Sequence, residues 1–543
     1  MRLRYRSPSF FTVGAVTVLA GCTGAGAPVI AVAPAPVQAM APVRPNVSGN
    51  WLSAAPNADG TVRRTYFTLT QEGDQIRGTI HAPTSFVTIA ESAWDSAGFS
   101  VTSVTRNGNN ERRTTYDGRL VGDELRMTMR RRVPPPGASA GANANFRPVA
   151  LVAHRAPAGD GAMPAKVALP ARHPVRDNGI ARTPPMGWNS WNKFAGRVDD
   201  ASVRTMADAM ASNGMKDAGY VYINIDDTWE GDQRDAQGNI TTNSKFPDMK
   251  ALADYVHAKG LKLGIYSSPG PVTCAGYLGS YGHEAQDAKT YAQWGIDYLK
   301  YDWCGASMLH PTEDQPALYQ LMGDALLATG RDILYSLCQY GQLDVWKWGA
   351  EVGGNSWRTT GDIRDAWQSM ANIGFRQDVL APFAKPGHFN DPDMLEIGNG
   401  GMTDTEYRTH MSLWSMLASP LLAGNDLRTM TPAIHEILTN REVIAIDQDS
   451  LGAQATRVWA SDDSVTVRKE IWTRPLAKGA HAVAVFNRGP DSAQVVVDFA
   501  ALGIDVRRKM VRDLWEHRRV PVKGTQYVAK VPSHGVLLLR VGR

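Results

Sequence analysis

Ile296-Asp297-Tyr298-Leu299-Lys300-Tyr301-Asp302-Trp303-Cys304 decides how the rest of the chain is read. An apolar, β-prone run carries a lysine, a carboxylate and a thiol toward its end, and Gly305 breaks the pattern. A buried strand finishing on such residues points to a site at the strand's C-terminal end, with Asp302 as candidate nucleophile. Taken alone, the same residues also fit a solvated aspartate that caps the following helix. The flanking segments separate the two readings.

Around this run, strand-like and helix-like segments alternate over roughly 260 residues, a length within the range of an α/β barrel. Strand candidates fall at 186–191, 220–227, 261–267, 296–302, 333–338, 356–363, 388–395 and 418–422. Helical segments at 200–216, 249–259, 283–294, 315–328 and 403–418 separate most of them. Eight β/α units spaced by roughly 30–40 residues predict an α/β fold, a (β/α)8 TIM barrel over 183–453. An open doubly wound sheet calls for a Gly-rich phosphate turn after its first strand, where Trp188, Asn189 and Trp191 stand instead.

Both flanks read as antiparallel β structure. Residues 46–154 carry short alternating strands, for example 65–70, 75–80, 98–105, 114–120 and 124–129, with turn signals at Gly73, Asn107-Gly108, Asp117-Gly118 and Gly122. That predicts an N-terminal antiparallel β domain, a small sandwich or barrel. Its aromatics, Trp51, Tyr66, Phe67, Trp94 and Phe99, are assigned to the core rather than to a sugar platform. Ala/Pro/Gly-rich residues 155–182 form a linker, and 454–543 a C-terminal antiparallel β-sandwich with strands near 464–469, 482–487, 493–498, 510–513, 526–531 and 535–541.

The first 22 residues read as a targeting segment. Arg2, Arg4 and Arg6 precede a short apolar stretch that runs into Leu19-Ala20-Gly21-Cys22. This sequence resembles a bacterial lipobox, in which Cys22 is lipidated after cleavage; an ordinary export signal cleaved slightly later is the alternative. Residues 23–45, rich in Ala, Pro and Val, then form a tether. The expectation is an exported protein of the bacterial periplasm or cell envelope, held to the membrane through Cys22. With Cys22 lipidated, Cys274, Cys304 and Cys338 remain, enough for at most one disulfide. A formal net charge of +4, with Arg130, Arg131 and Arg132 not extended into a stripe, argues against nucleic acid as a partner.

Strand C-termini of a TIM barrel share one pocket. Here they bring Trp188, Asp226-Asp227, Tyr266, Lys300 and Asp302, Cys338-Gln339-Tyr340, Arg358 and Asp362, and Asp391, Asp393 and Met394. Helix caps explain one or two such carboxylates, not the whole set. No histidine cluster accompanies them, and His388 reads as a structural hydrogen-bonding residue, so neither metal nor organic cofactor is called for. Carboxylates, a Lys/Arg pair and aromatic faces suit a neutral polyhydroxylated ligand: acids accept from hydroxyls, and Trp188 offers a stacking surface. Glycoside cleavage needs two carboxyl groups about the anomeric carbon. Asp302 and Asp362 lie on non-adjacent strands; Lys300 is expected to keep Asp302 ionised, and Asp362 to be buried near negative charge so that it keeps a proton.

Five motifs carry a resemblance to a known family. They are Met-Gly-Trp-Asn-Ser-Trp (from Met186), Ile-Asn-Ile-Asp-Asp-Thr-Trp (from Ile223), Tyr-Leu-Lys-Tyr-Asp-Trp-Cys (from Tyr298), Trp-Arg-Thr-Thr-Gly-Asp-Ile (from Trp357) and Asn-Asp-Pro-Asp-Met-Leu (from Asn390). In this order they resemble glycoside hydrolase family 27, the melibiases, over about residues 183–449. The resemblance implies a retaining exo-α-galactosidase acting on terminal α-linked galactose of oligosaccharides, galactomannans or glycoconjugates by double displacement. It implies Asp302 as nucleophile and Asp362 as acid/base. Asp226, Asp227 and Lys300 would hold the 3-, 4- and 6-hydroxyls, and Trp188, Tyr266, Arg358, Asp393 and Met394 would complete the pocket. It also implies a Cys274–Cys304 disulfide with Cys338 a buried thiol; three free thiols are the competing view.

One position departs from the family. Many members carry Glu where this chain has Gln339, a residue expected to meet the sugar's 2-position. An amide still bonds a hydroxyl but would crowd an acetamido group, which disfavours α-N-acetylgalactosaminidase activity. The intact Asp226-Asp227 pair favours galactose over the substrate of a β-L-arabinopyranosidase. An isomaltodextranase-type activity is a further alternative. A non-catalytic glycan-binding lipoprotein is the rival of another class, and the complete carboxylate set argues against it.

Overall fold

The structure, a computed structural model, describes residues 44–56, 58, 60–82, 85–107, 110–131, 148–461, 469–507 and 509–542. The leader with Cys22 and nearly all of the 23–45 tether lie outside the described residues. Asn46–Arg543 forms one compact unit.

A parallel eight-stranded sheet holds the site. Its strands are Met186–Asn189, Tyr222–Asn224, Lys262–Ser267, Tyr298–Asp302, Leu334–Cys338, Ser356–Arg358, Phe389–Asp391 and Leu421–Ala423. Each falls within or overlaps one of the expected runs. The eighth strand pairs with the first, Leu421 opposite Met186. The Leu395 amide donates to Leu422 O at 2.8 Å and the Gly424 amide to Leu395 O at 2.9 Å, which closes the ring between strands seven and eight. This is the (β/α)8 barrel that the alternation predicts.

Local chemistry trims the expected elements. Helix Glu284–Trp294 ends at Gly295 with φ 85°, and the Ile296 amide still donates to Tyr291 O at 3.0 Å, so strand four begins only at Tyr298. The helix expected at 200–216 is two, Asp200–Ser212 and Met215–Ala218, divided where Gly214 takes φ 89°. Reciprocal capping boxes, Asp199 with Ser202 and Thr403 with Glu406, start Asp200–Ser212 and Asp404–Met416.

The N-terminal domain is a closed up-and-down barrel of eight antiparallel strands, from Gly49–Pro56 to Val149–Arg155. Trp51, Phe67, Phe99, Val101 and Leu125 fill its interior and a partly buried Trp94 packs against them, whereas Tyr66, on the opposite face of its strand from Phe67, is half-buried beside His81 and is not core. The Asp117-Gly118 turn signal is corrected: both residues lie inside strand Asn110–Val121. A Cβ on Gly118 would come within 2.6 Å of the Phe99 ring, so glycine is there for close packing.

The C-terminal domain packs a six-stranded antiparallel sheet against the two-stranded pair Ala493–Asp498 and Gln526–Val531. Val483, Val485, Val497 and Leu539 fill the space between them. From the opposite face of the large sheet, Trp472, Phe486 and Leu538 join the core of the α/β barrel, seating the sandwich on helix Asp404–Met416. The 155–182 linker is strapped to the barrel wall: the Val167 amide donates to the Tyr281 hydroxyl at 2.8 Å, and the Val175 amide to Glu351 O at 2.7 Å. Among the described residues no helix is long and apolar enough to cross a membrane.

Candidate active site

A cavity of about 520 Å³ opens at the C-terminal ends of the barrel strands. Its walls include Asp226, Asp227, Tyr266, Lys300, Asp302, Tyr340, Arg358, Asp362, Asp393 and Met394, all expected at the strand ends from the sequence, and also Cys274. They arrive from strands two to seven and the loops that follow, because parallel strands deliver their C-termini to one face. A second hollow, of about 300 Å³, lies near Val175, Gly330 and Ile333, where strand five begins. It belongs to the opposite end of the barrel, the stability end.

Asp302 closes strand four, buried between two tyrosines. The Tyr266 hydroxyl donates to its Oδ2 at 3.1 Å, and the Tyr340 hydroxyl to its Oδ1 at 2.6 Å. Burial pushes its carboxyl above the usual range, opposed by the Lys300 charge and by the Tyr340 hydrogen bond. Lys300 does not pair with Asp302 directly: its Nζ donates to Asp226 Oδ2 at 2.8 Å. Burial, the largest single influence, favours the neutral amine, but the negative charges around it, Asp226 foremost and Asp302 with it, together outweigh burial and hold Lys300 protonated.

Asp226 and Asp227 share the end of strand two. Asn189 donates to Asp226 Oδ2 at 2.9 Å. Asp227 accepts from the Thr273 hydroxyl at 2.8 Å and from the Ala275 amide at 2.7 Å, so the loop after strand three aims it. Burial, helped by the charge of Asp226, raises the Asp227 carboxyl to about 7 against these hydrogen bonds. Across the cavity, Arg358 links Asp393, at 2.8 Å, to Asp362, at 3.1 Å. Asp393 is further oriented by the Ile363 amide at 2.8 Å.

Three expectations need correction. Trp188 is fully buried, donates from Nε1 to Asn425 O at 2.8 Å, and packs edge-on against Phe194. It belongs to the packing between barrel and helices, and Trp191 supplies the aromatic face of the cavity instead. Gln339 is also fully buried and outside the cavity wall, with neither side-chain polar atom partnered. Strand five therefore presents Tyr340, and crowding at that wall comes from its ring rather than from the amide. Asp362, expected in a buried acidic setting, has a side chain 70% exposed, next to the Arg358 guanidinium. Strand six ends at Arg358, and Asp362 sits on the loop beyond it.

Cys274 and Cys304 are joined, with Cα atoms 5.0 Å apart, and Cys338 is a buried free thiol. The cluster of Cys274, Cys304 and Asp302 has ligand-like spacing, but the disulfide takes both sulfurs. His388 donates from Nδ1 to Gly354 O at 2.8 Å and stacks on Trp357, a structural role. Sequence reasoning passed over Glu396, which lines the cavity between Asn192 and Asn399; burial raises its carboxyl to about 7. A carboxylate at the end of an apolar run offered the same signal that marked Asp302, but it lies beyond the seventh strand.

Residues 183–449 match the family model described as alpha galactosidase A, and 467–541 the one described as the alpha galactosidase C-terminal beta sandwich domain. Alpha-galactosidase 2 of Arabidopsis thaliana is 47% identical over 373 residues, 68% of this chain and 92% of the relative. The crystal structure of alpha-galactosidase I from Mortierella vinacea is 38% identical with a TM-score of 0.64, covering 67% of this chain and 98% of its own. A crystal structure from Bacteroides fragilis NCTC 9343, 32% identical with a TM-score of 0.64, covers 91% of this chain and 98% of its own. The five motifs, the strand-end carboxylates and these matches agree, and the chain belongs to the melibiase family, glycoside hydrolase family 27.

Proposed function

We propose that this chain is a retaining exo-α-galactosidase. The observation that carries the reading is a single cavity in which Asp302, clasped by two tyrosine hydroxyls, shares the wall with Asp362 and the Asp226–Lys300 pair. Asp226, Asp227 and Lys300 bind the hydroxyls of a terminal galactose, and Trp191 stacks on its apolar face. Asp302 attacks the anomeric carbon while Asp362 gives a proton to the departing oxygen. The bond to the aglycone breaks as the bond to Asp302 forms. Water then attacks the same carbon, loses its proton to Asp362, and the electron pair of the ester bond returns to Asp302. Arg358 positions Asp362 and Asp393. Because Asp362 is exposed, the bound sugar and its aglycone must shield the proton it transfers.

An aryl α-galactoside, followed by NMR, tests reaction and stereochemistry together: α-galactose is expected as the first product, and first-formed β-galactose excludes double displacement. Asp302→Ala should lower kcat by ~10³-fold or more, and azide should restore turnover with a β-galactosyl azide product. We also infer export and lipid attachment at Cys22, on the basic, apolar and lipobox sequence before the tether.

A further inference from the structure

The side chain that strand five delivers to the cavity sits on an unusual backbone. Tyr340 has φ 62°, a left-handed conformation that costs a non-glycine residue of order 1 kcal/mol. The next residue holds the turn in place: the Gly341 amide donates to Arg358 O at 3.0 Å, tying it to strand six. The turn buries Gln339 and brings Tyr340 into the cavity, its hydroxyl 2.6 Å from Asp302 Oδ1. A tyrosine ring in a strained turn, making its shortest polar contact with the nucleophile, marks a residue that acts through that nucleophile.

We propose that Tyr340 is a positioning residue that grips the Asp302 carboxylate and assists the second half of the reaction, when that carboxylate leaves the sugar. The proposal rests on Asp302 being the nucleophile. In the galactosyl-enzyme, Asp302 is a neutral ester, a weak acceptor. As water displaces it, the electron pair of the breaking C–O bond returns to the carboxylate, and the hydrogen bond from Tyr340 strengthens with the growing charge. Tyr340 transfers no proton, because burial and the nearby thiol and carboxylate push its hydroxyl far above the normal range. In the first half the sense is reversed. The bond is strong in the free enzyme and weakens as Asp302 attacks, so Tyr340 gives no acceleration there.

Tyr340→Phe in the full chain isolates this contribution, since it removes one oxygen and leaves the ring. With an activated aryl α-galactoside, kcat is expected to fall roughly 10-fold, the scale of a lost hydrogen bond to a charged group. KM should fall with it, leaving kcat/KM within about 3-fold, and a pre-steady-state burst of phenol should mark the accumulating ester. The groups facing Asp302 are Lys300 on its own strand, Tyr266 and Cys338 on the adjacent strands three and five, Asp226 just past strand two, Arg358 on strand six, and Tyr340. All but Tyr340 stay in the variant, so the acid limb of kcat/KM should move upward, by about one pH unit. A fall in kcat/KM as large as that in kcat, with KM and the acid limb unmoved, overturns the proposal, as does unchanged kinetics. Thermal melting confirms that the variant is folded. A galactose-configured cyclitol epoxide, which esterifies the nucleophilic carboxylate, separates the two readings by peptide mass. Failure to label Asp302 in the wild type defeats the nucleophile assignment itself, whereas labelled Asp302 with normal Tyr340→Phe kinetics defeats only the role of Tyr340.

Discussion

Trp188 and Trp191 stand on the same motif, and only Trp191 faces the cavity. A strand directs successive side chains to opposite faces, and Trp188 turns toward the helices, where Asn425 O satisfies its indole. Trp191 begins the short helix after the strand and overhangs the pocket mouth. Their substitutions should therefore diverge. Trp191→Ala should raise KM roughly 5- to 30-fold, the equivalent of about 1–2 kcal/mol of lost stacking and area, with little change in melting temperature. Trp188→Ala should instead destabilise the fold by about 3–5 kcal/mol, visible in denaturant unfolding. Equal KM for Trp191→Ala and wild type would remove the stacking role. Both tryptophans were legible as motif residues, but which of them meets the sugar was not, because that depends on where strand one stops.

The N-terminal barrel explains itself at the level of elements. None of its described residues lines the cavity wall, yet it rests on the backs of two loops that do. Gly60 meets Gly196, where an added Cβ would come within 2.6 Å of backbone, and the Arg197 guanidinium spans from Ala58 O, at 3.3 Å, to Lys193 O, at 3.2 Å. Arg64 pairs with Asp232 at 2.5 Å and lies over the Tyr277 ring at 5.0 Å. Tyr277 in turn bonds Thr273, whose hydroxyl holds Asp227. Loosening this brace should be felt at Asp227. Arg64→Ala is expected to raise KM and the galactose inhibition constant together, by roughly 3- to 10-fold, from a cation–π contact worth about 0.5–2 kcal/mol. Arg64→Lys should recover part of the effect. Unaltered galactose inhibition in Arg64→Ala would show that the barrel does not tune the site. No single-sequence pattern announces this brace, since Arg64, Gly196 and Tyr277 meet only in three dimensions.

Across the whole molecule, three β or α/β units serve one pocket: the central barrel builds it, the sandwich seals the outer helix, and the N-terminal barrel backs its loops. The attachment through Cys22 proposed above is independent of the pocket. Cys22→Ser should abolish incorporation of a labelled fatty acid and shift the protein out of the membrane fraction, while activity per molecule is unchanged. Label retained in Cys22→Ser would exclude lipidation at that cysteine. The sequence by itself determined the eight-fold alternation, the two antiparallel flanks and the placing of Asp226, Asp227, Lys300, Asp302 and Arg358 at one rim. These follow from hydrophobic period and from the rule that parallel strands end together, both local properties of the chain. Only the tertiary structure decided that Tyr340 rather than Gln339 faces the cavity, that Trp191 replaces Trp188, and that Asp362 stands exposed beside Arg358. Each of these turns on the direction of a side chain just past a strand's last residue. There the backbone leaves the regular period, and neighbouring strands and loops set its course.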